Sequence, residues 1–183
     1  MAFPAELAGI DDSSSGAGRP MAATAVADVH DRRGRELFGL CRRLGLDEDE
    51  ANDAVQETFL RMWHESSRGV VIVDPDAWSF RVAYRLAMDH HRLGRLARSI
   101  VDRIASTASP PEEVDAADRL SVWAAVDRLP PRQRAVLYLR YRADLSYDRI
   151  GAVMGITANG ARNDASVATA SLRRRLVIEG GLR

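Results

Sequence analysis

The stretch "LSYDRIGAVMGITANGARNDASVATASLRRRL", residues 145–176, carries the local signals of two helices joined by a tight turn. Ser146 is a favourable N-cap for the first helix, and Gly155 suits the left-handed residue that ends it. Thr157 can then cap the second helix. Gly151 is small at the point where the two helices would cross closely. This stretch therefore predicts a helix-turn-helix.

The second helix of this stretch has one apolar face, which supports the same prediction. Its inward positions recur at steps of three and four residues: Ala161, Ala165, Ala168, Leu172 and Leu176. The preceding segment, "LPPRQRAVLYLRYR" (129–142), predicts a supporting helix with Pro131 at its first position. Residues 118–183 contain twelve arginines and six acidic residues. This cationic balance favours DNA binding over a plain helical bundle with a tight turn.

An earlier stretch, "DEDEANDAVQETFLRMW" (47–63), predicts a helix with two distinct faces. Asp47 and Glu50 have the spacing of a capping box. One stripe is apolar and suits a core: Ala51, Val55, Phe59 and Met62. A second stripe runs roughly opposite: Asp49, Asp53, Gln56, Leu60 and Trp63. A solvated face does not need Leu60 and Trp63, so this stripe indicates a contact surface for a protein with basic and apolar parts. Packing of Leu60 and Trp63 on neighbouring helices is the alternative.

A third helix, predicted over residues 77–96, combines basic and aromatic residues. The basic ones are Arg81, Arg85, Arg92 and Arg95, and the aromatic ones are Trp78, Phe80 and Tyr84. Arginines that hold phosphates, together with rings that receive unstacked bases, suit an unpaired nucleic-acid strand. Core packing is the alternative for the aromatic residues, and we expect Phe80 to be buried.

The whole chain reads as an all-α protein with two small helical domains joined by a flexible linker. Residues 1–28 predict a disordered tail, rich in Ala, Ser, Gly and Asp, in which Met21 is an alternative start. The first domain is predicted over 29–99. The linker is predicted over 100–117, because "STASPPEEVDAAD" (106–118) is rich in Ser, Pro and acids. The second domain is predicted over 118–183, with helices at about 118–129, 131–142, 146–154 and 158–178.

Three segments in this order resemble the bacterial RNA polymerase sigma factors of the extracytoplasmic-function group. They are "DAVQETFLRMW" (53–63), "AWSFRVAYRLAMDHHR" (77–92) and "LPPRQRAVLYLRYRADLSYDRIGAVMGIT" (129–157), and the resemblance covers residues from about 31 to 178. It implies a transcription initiation factor that binds core RNA polymerase, melts the downstream (−10) promoter element with the first domain and contacts the upstream (−35) element with the second. The implied partners are the beta-prime clamp helices, the beta flap and promoter DNA. An anti-sigma factor is a further partner that the resemblance allows.

The resemblance also assigns the site residues. The polymerase-binding residues are Asp49, Asp53, Gln56, Leu60 and Trp63. Downstream promoter DNA is assigned to the loop within 64–76 and to Trp78, Arg81, Tyr84, Arg85, Arg92 and Arg95. The candidate contacts of upstream promoter DNA follow from this chain's own pattern, because a helical wheel places Asn159, Arg162, Asn163 and Ser166 on the outward side of the last helix, after Thr157.

The start of the last helix departs from the family pattern, which usually has several basic residues there. Residues 160–164 read Gly-Ala-Arg-Asn-Asp in this chain. Asp164 either repels phosphates or pairs with an arginine of the supporting helix, such as Arg140 or Arg142. A helix-turn-helix regulator that acts without polymerase remains an alternative function. A sigma-like interaction module with decayed DNA reading is another.

Several classes of protein are disfavoured by the sequence. The single cysteine, Cys41, rules out an internal disulfide and fits a reducing cytoplasm. No stretch is apolar enough to span a membrane, and the N-terminus lacks the features of a signal peptide. His90 and His91 would point about 100° apart on a helix, so we expect no metal site. No catalytic set or cofactor-binding loop is present in the sequence, so we expect no enzyme and no cofactor.

Overall fold

The computed structural model describes residues 23–102 and 122–180, and these residues form seven α-helices. The helices are α1 (Ala23–Arg43), α2 (Glu48–Ser67), α3 (Pro75–Asp102), α4 (Val122–Asp127), α5 (Pro131–Tyr141), α6 (Tyr147–Met154) and α7 (Ala158–Gly180). No strand occurs in either described range. The prediction of an all-α fold is confirmed.

The first half of the chain is a bundle of α1, α2 and α3. The apolar stripe predicted for α2 is confirmed, since Ala51, Val55, Phe59 and Met62 are all buried. They share one buried cluster with residues of α1, of the turn after it and of α3: Leu37, Leu40, Cys41, Leu44, Phe80, Ala83 and Ala87. Burial also raises the pKa of the Cys41 thiol to about 12, so this cysteine is a small core residue with an unreactive thiol.

The second half contains the predicted helix-turn-helix in α6 and α7, supported by α5. The Ser146 side chain accepts a hydrogen bond from the backbone N–H of Arg149, which caps α6. Gly155 ends α6 in the left-handed conformation, with φ of 69°. A Cβ at Gly151 would lie 2.7 Å from the carbonyl oxygen of Ile156, so only glycine allows this close approach. These local predictions are confirmed.

Two helices, α1 and α3, extend beyond their predicted bounds. The helix α1 begins at Ala23, so residues 23–28 are helical and not part of a tail, because Val26 and Val29 pack into the core. The helix α3 starts at Pro75, earlier than predicted, and continues to Asp102, inside the predicted linker. Proline fits the first turn of a helix, where its missing N–H is no loss. The rest of the predicted tail (1–22) and of the predicted linker (103–117) lies outside the described residues, as do residues 118–121 and 181–183.

The two halves pack on each other, which the sequence did not predict. The helix α5 lies against α1, and α6 lies against α3, so that one continuous apolar core runs through both halves. Tyr138 of α5 is 5% exposed, and its hydroxyl takes the space that a Cβ would fill at Gly39 of α1. Burial raises the pKa of Tyr138 to about 12.

Candidate protein and nucleic-acid interfaces

The first candidate interface is the outer side of α2, a helix whose N-terminus is stabilised by a capping box. The backbone N–H of Glu50 donates to Oδ1 of Asp47 at 2.8 Å, and the Asp47 N–H donates to Oε2 of Glu50 at 2.8 Å. All five residues of the predicted second stripe are exposed, and we name them the α2 face: Asp49, Asp53, Gln56, Leu60 and Trp63. Leu60 is 54% exposed and Trp63 is 46% exposed, so neither is buried against neighbouring helices.

The second candidate interface is the basic and aromatic side of α3, and the structure divides its predicted residues into three groups. Phe80 is fully buried, as expected, and Trp78 is half-buried against the core, so only part of its side chain is open to DNA. Arg81 and Tyr84 are partly buried, whereas Arg85 and Arg92 are exposed. The side chain of Arg95 lies outside the described residues. We name Arg81, Tyr84, Arg85 and Arg92 the strand face.

Part of the strand face is in contact with the second half of the chain. The Nε–H of Arg81 donates to the carbonyl oxygen of Ala152 in α6 at 2.8 Å. Burial raises the pKa of Tyr84, and the charges of Arg132 and Asp164 act on it from the second half. Half of the strand face is therefore covered in this structure.

The loop before α3 carries an apolar tip. Val70, Val71 and Val73 are exposed, and Val73 reaches 79% exposure, whereas Ile72 is 8% exposed and anchors the loop to the core. Asp74 follows at once, and its Oδ1 accepts the backbone N–H of Ala77 at 3.0 Å. The loop is therefore joined to the first turn of α3 by a side-chain cap.

The third candidate interface is the exposed side of α7. Thr157 caps this helix, since its Oγ1 accepts the backbone N–H of Gly160 at 3.0 Å. Exposed residues follow at helical spacing, and with Thr157 we name them the recognition face: Asn159, Arg162, Asn163 and Ser166. Two of these residues, Arg162 and Ser166, line an open groove that is also lined by Tyr141, Tyr147 and Arg173.

Arg162 is the most strongly positioned residue of the recognition face. One of its terminal nitrogens donates to Oδ1 of Asn159 at 2.8 Å, and its guanidinium lies 5.1 Å from the ring centroid of Tyr147. The guanidinium of Arg140 lies 5.4 Å from the same ring. Tyr147, which sequence reasoning missed, thus holds two arginines beside the groove.

Asp164 forms an ion pair with the supporting helix, as one of the two sequence hypotheses proposed, but with a different arginine. Its Oδ2 accepts from Nε of Arg132 at 2.7 Å. Arg140 instead donates to the carbonyl oxygen of Leu145 at 3.0 Å. The choice of Arg140 or Arg142 was wrong because the crossing of α5 and α7 brings the start of α5, not its end, next to Asp164.

Nε2 of His90 lies 3.2 Å from Oε1 of Glu50, so this imidazole faces α2. Among the described residues, no group of three His, Cys, Asp or Glu side chains is arranged to hold a metal ion. None of the helices in the described ranges is long and apolar enough to cross a membrane.

Two family models match the two halves of the chain. The family described as Sigma-70 region 2 matches residues 29–97, and the family described as Sigma-70, region 4 matches residues 119–168. The chain is similar to the ECF RNA polymerase sigma factor SigL of Mycobacterium tuberculosis, with 33% identity over 168 residues that cover 88% of this chain and 94% of SigL.

Solved structures give the same fold. One is the structure of CnrH in complex with the cytosolic domain of CnrY, with a TM-score of 0.59 and 25% identity, covering 85% of this chain and 89% of CnrH. Another is the sigma factor RpoE in complex with the anti-sigma factor NepR from Bartonella quintana, with a TM-score of 0.58 and 20% identity, covering 81% of this chain and 96% of RpoE.

Proposed function

The chain belongs to the extracytoplasmic-function group of RNA polymerase sigma factors, which are transcription initiation factors that direct the polymerase to promoters, and we propose how its three faces divide that work. The α2 face binds core RNA polymerase at the beta-prime clamp helices. The strand face, with the loop before α3, binds the melted downstream element. The recognition face contacts the upstream element in duplex DNA, while the beta flap binds the second half.

The observation that carries this proposal is the exposure of Leu60 and Trp63 beside three polar residues on the α2 face. Exposed tryptophan is typical of a binding hot spot, and Leu60, one turn away, extends the apolar area that a partner can cover. Asp49 and Asp53 lie at the other end of the same face and add negative charge, which suits a partner with basic residues. A regulator that acts on DNA alone has no use for such a surface.

The recognition face supports duplex reading in a narrow form. Arg162 is pre-oriented by Tyr147 and Asn159, and an arginine in the major groove can bind guanine through two hydrogen bonds. Asn159 and Asn163 are suited to adenine. The Asp164–Arg132 pair neutralises one arginine that could otherwise contact phosphate, so we expect weak duplex binding by the second half alone.

We further propose that the chain acts in the cytoplasm by binding, without catalytic chemistry of its own. An anti-sigma factor is its proposed regulator, because the related RpoE is seen in complex with the anti-sigma factor NepR and CnrH with the cytosolic domain of CnrY.

The test is transcription from a library of promoter fragments by core polymerase with the purified chain. We expect polymerase-dependent transcripts from a defined subset of promoters. Selection of duplex DNA without polymerase would favour the regulator instead. Binding to core polymerase without promoter-specific transcripts would favour an interaction module with decayed DNA reading.

A further inference from the structure

The strand face of α3 already has an occupant in this structure, namely the helix-turn-helix of the same chain. Arg81 donates to the Ala152 carbonyl in α6 at 2.8 Å, and Tyr84 is partly buried. This hydrogen bond occupies one of the five N–H donors of the guanidinium that would hold a phosphate and places α6 beside it. The same ring of Tyr84 that would receive a base lies near Arg132 and Asp164 of the second half.

A two-fold hydrogen-bonded ion pair holds this contact at the start of α3. Both carboxylate oxygens of Asp74 accept from Arg149 of α6, each at 2.6 Å. Such paired hydrogen bonds between arginine and carboxylate are among the stronger polar contacts in proteins. Asp76 adjoins this pair and accepts from Arg33 of α1 at 2.9 Å. The two acidic residues at the start of α3 therefore lie between an arginine of α1 and an arginine of α6.

A second contact holds the two halves together at the end of α1. Arg43 is ion-paired with Asp127 of α4, and its guanidinium lies 5.3 Å from the ring centroid of Trp123. Arg134 of α5 donates to the carbonyl oxygen of Arg43 at 2.7 Å. Because polar contacts join the two halves at two separate places, the orientation of one half relative to the other is fixed in this structure.

Arg149 is placed where it can bind only one of two partners at a time. It is the third residue of α6, the first helix of the motif, and in a helix-turn-helix this helix crosses the DNA backbone. In the present structure its guanidinium binds a carboxylate instead. A DNA phosphate bound by Arg149 would therefore have to displace the Asp74 carboxylate.

We propose that the helix-turn-helix and single-stranded promoter DNA compete for the strand face, so that the free chain is closed and binds a melted strand only after α6 leaves α3. This inference rests on the proposed strand-binding role of α3. It adds an autoinhibitory contact, centred on Asp74 and Arg149, that lies within the chain and requires no anti-sigma factor.

The test uses two single variants of the full-length chain with opposite changes in charge. Asp74→Asn removes a negative charge and keeps a side chain that can cap α3. Arg149→Gln removes a positive charge. If simple electrostatics governed DNA binding, the first variant would bind more tightly and the second more weakly. If the ion pair holds the chain closed, both variants bind more tightly.

The probe is a short, fluorescein-labelled single-stranded oligonucleotide of mixed sequence, and affinity is read from anisotropy. We expect a roughly three- to tenfold gain for each variant, because apparent affinity scales with the fraction of open chain and the pair is only partly buried. The double variant should gain about as much as either single variant, since both break the same contact. Adding Tyr84→Ala to Arg149→Gln should remove the gain.

Matched controls are available within α2. Glu57 and Arg61 form an ion pair at 2.6 Å that does not join the two halves. Glu57→Gln and Arg61→Gln repeat the two charge changes away from α6. Their effects on the oligonucleotide affinity should follow the sign of the charge that is removed.

Opening is measured independently by energy transfer between dyes on introduced cysteines, at Ser67 in the first half and Arg174 in the second, which are both exposed. The native Cys41 is buried and does not compete for the dyes. We expect lower energy transfer in Asp74→Asn and in Arg149→Gln than in the unmodified chain. Unchanged transfer would overturn the closed contact, and lower transfer without tighter DNA binding would overturn the competition. A failure of the proposed function itself would appear separately, as absence of promoter-directed transcription.

Discussion

Trp63 gives the most direct test of the α2 face, because its exposed area sets the size of the expected effect. An aromatic side chain of this kind presents about 200 Å². With 46% of it exposed, about 90 Å² is available for a partner to cover. At about 25 cal/mol per Å², covering it contributes about 2 kcal/mol, which is about 30-fold in the dissociation constant. We therefore expect Trp63→Ala to weaken binding to core polymerase about 30-fold, and Asp53→Arg with Trp63→Ala to abolish it in a pull-down.

The fold should survive this substitution, because the Trp63 ring contacts the exposed His64 ring, at 5.3 Å between centroids, and lies outside the core. Circular dichroism and the melting temperature check this point. The matched control is Asp31→Arg, which makes the same charge reversal at an exposed position of α1 that belongs to none of the three named faces. Unchanged polymerase affinity in the Trp63 variant, with a normal fold, would refute the reasoning for the α2 face.

Three further predictions concern the second half and its contact with the first. Asp164→Arg breaks the ion pair with α5 and should lower the free energy of unfolding by about 1 kcal/mol without tightening the binding of duplex DNA. Tighter and more salt-sensitive binding of duplex DNA would show instead that Asp164 mainly repels phosphate. Gly39→Ala overfills the space beside the Tyr138 hydroxyl and should cost about 1–3 kcal/mol, with partial recovery in the double variant with Tyr138→Phe; equal melting temperatures for all three would contradict this. Burial favours the neutral form of Asp74, but hydrogen bonds from Arg149 and from the α3 backbone outweigh it and lower the pKa of Asp74. The contact is therefore complete above the ordinary carboxyl pKa of about 3.9 and is lost as pH falls through the lowered value, so energy transfer should drop only in strong acid, and an unchanged signal there would contradict it.

The features that could be predicted from sequence are those fixed by neighbours along the chain. Asp47, Ser146 and Gly155 act within one helical turn, so local pattern was sufficient to place them. Leu60 and Trp63 could be assigned to an exposed face because helical spacing puts them opposite the buried stripe of α2.

The features that could not be predicted depend on contacts between distant segments. Asp74 and Arg149 are separated by 75 residues, and each looks like an ordinary cap or surface charge by itself. The partner of Asp164 depended on which end of α5 crosses α7. The start of α1 was missed because Val26 and Val29 are isolated apolar residues whose burial requires the assembled bundle.

The different exposure of the three faces implies an order of events at the promoter. The α2 face and the recognition face are exposed in the closed chain, so core polymerase can bind before the halves separate. The covered half of the strand face, Arg81 and Tyr84, becomes available only when Asp74 releases Arg149. Polymerase binding can drive this step only if it favours the open chain over the closed one, since a partner with equal affinity for both would shift nothing. If core polymerase favours the open chain, Arg149→Gln should tighten binding to core polymerase as well, although Arg149 lies outside the α2 face. Equal affinity for the variant and the unmodified chain would show that opening and polymerase binding are independent.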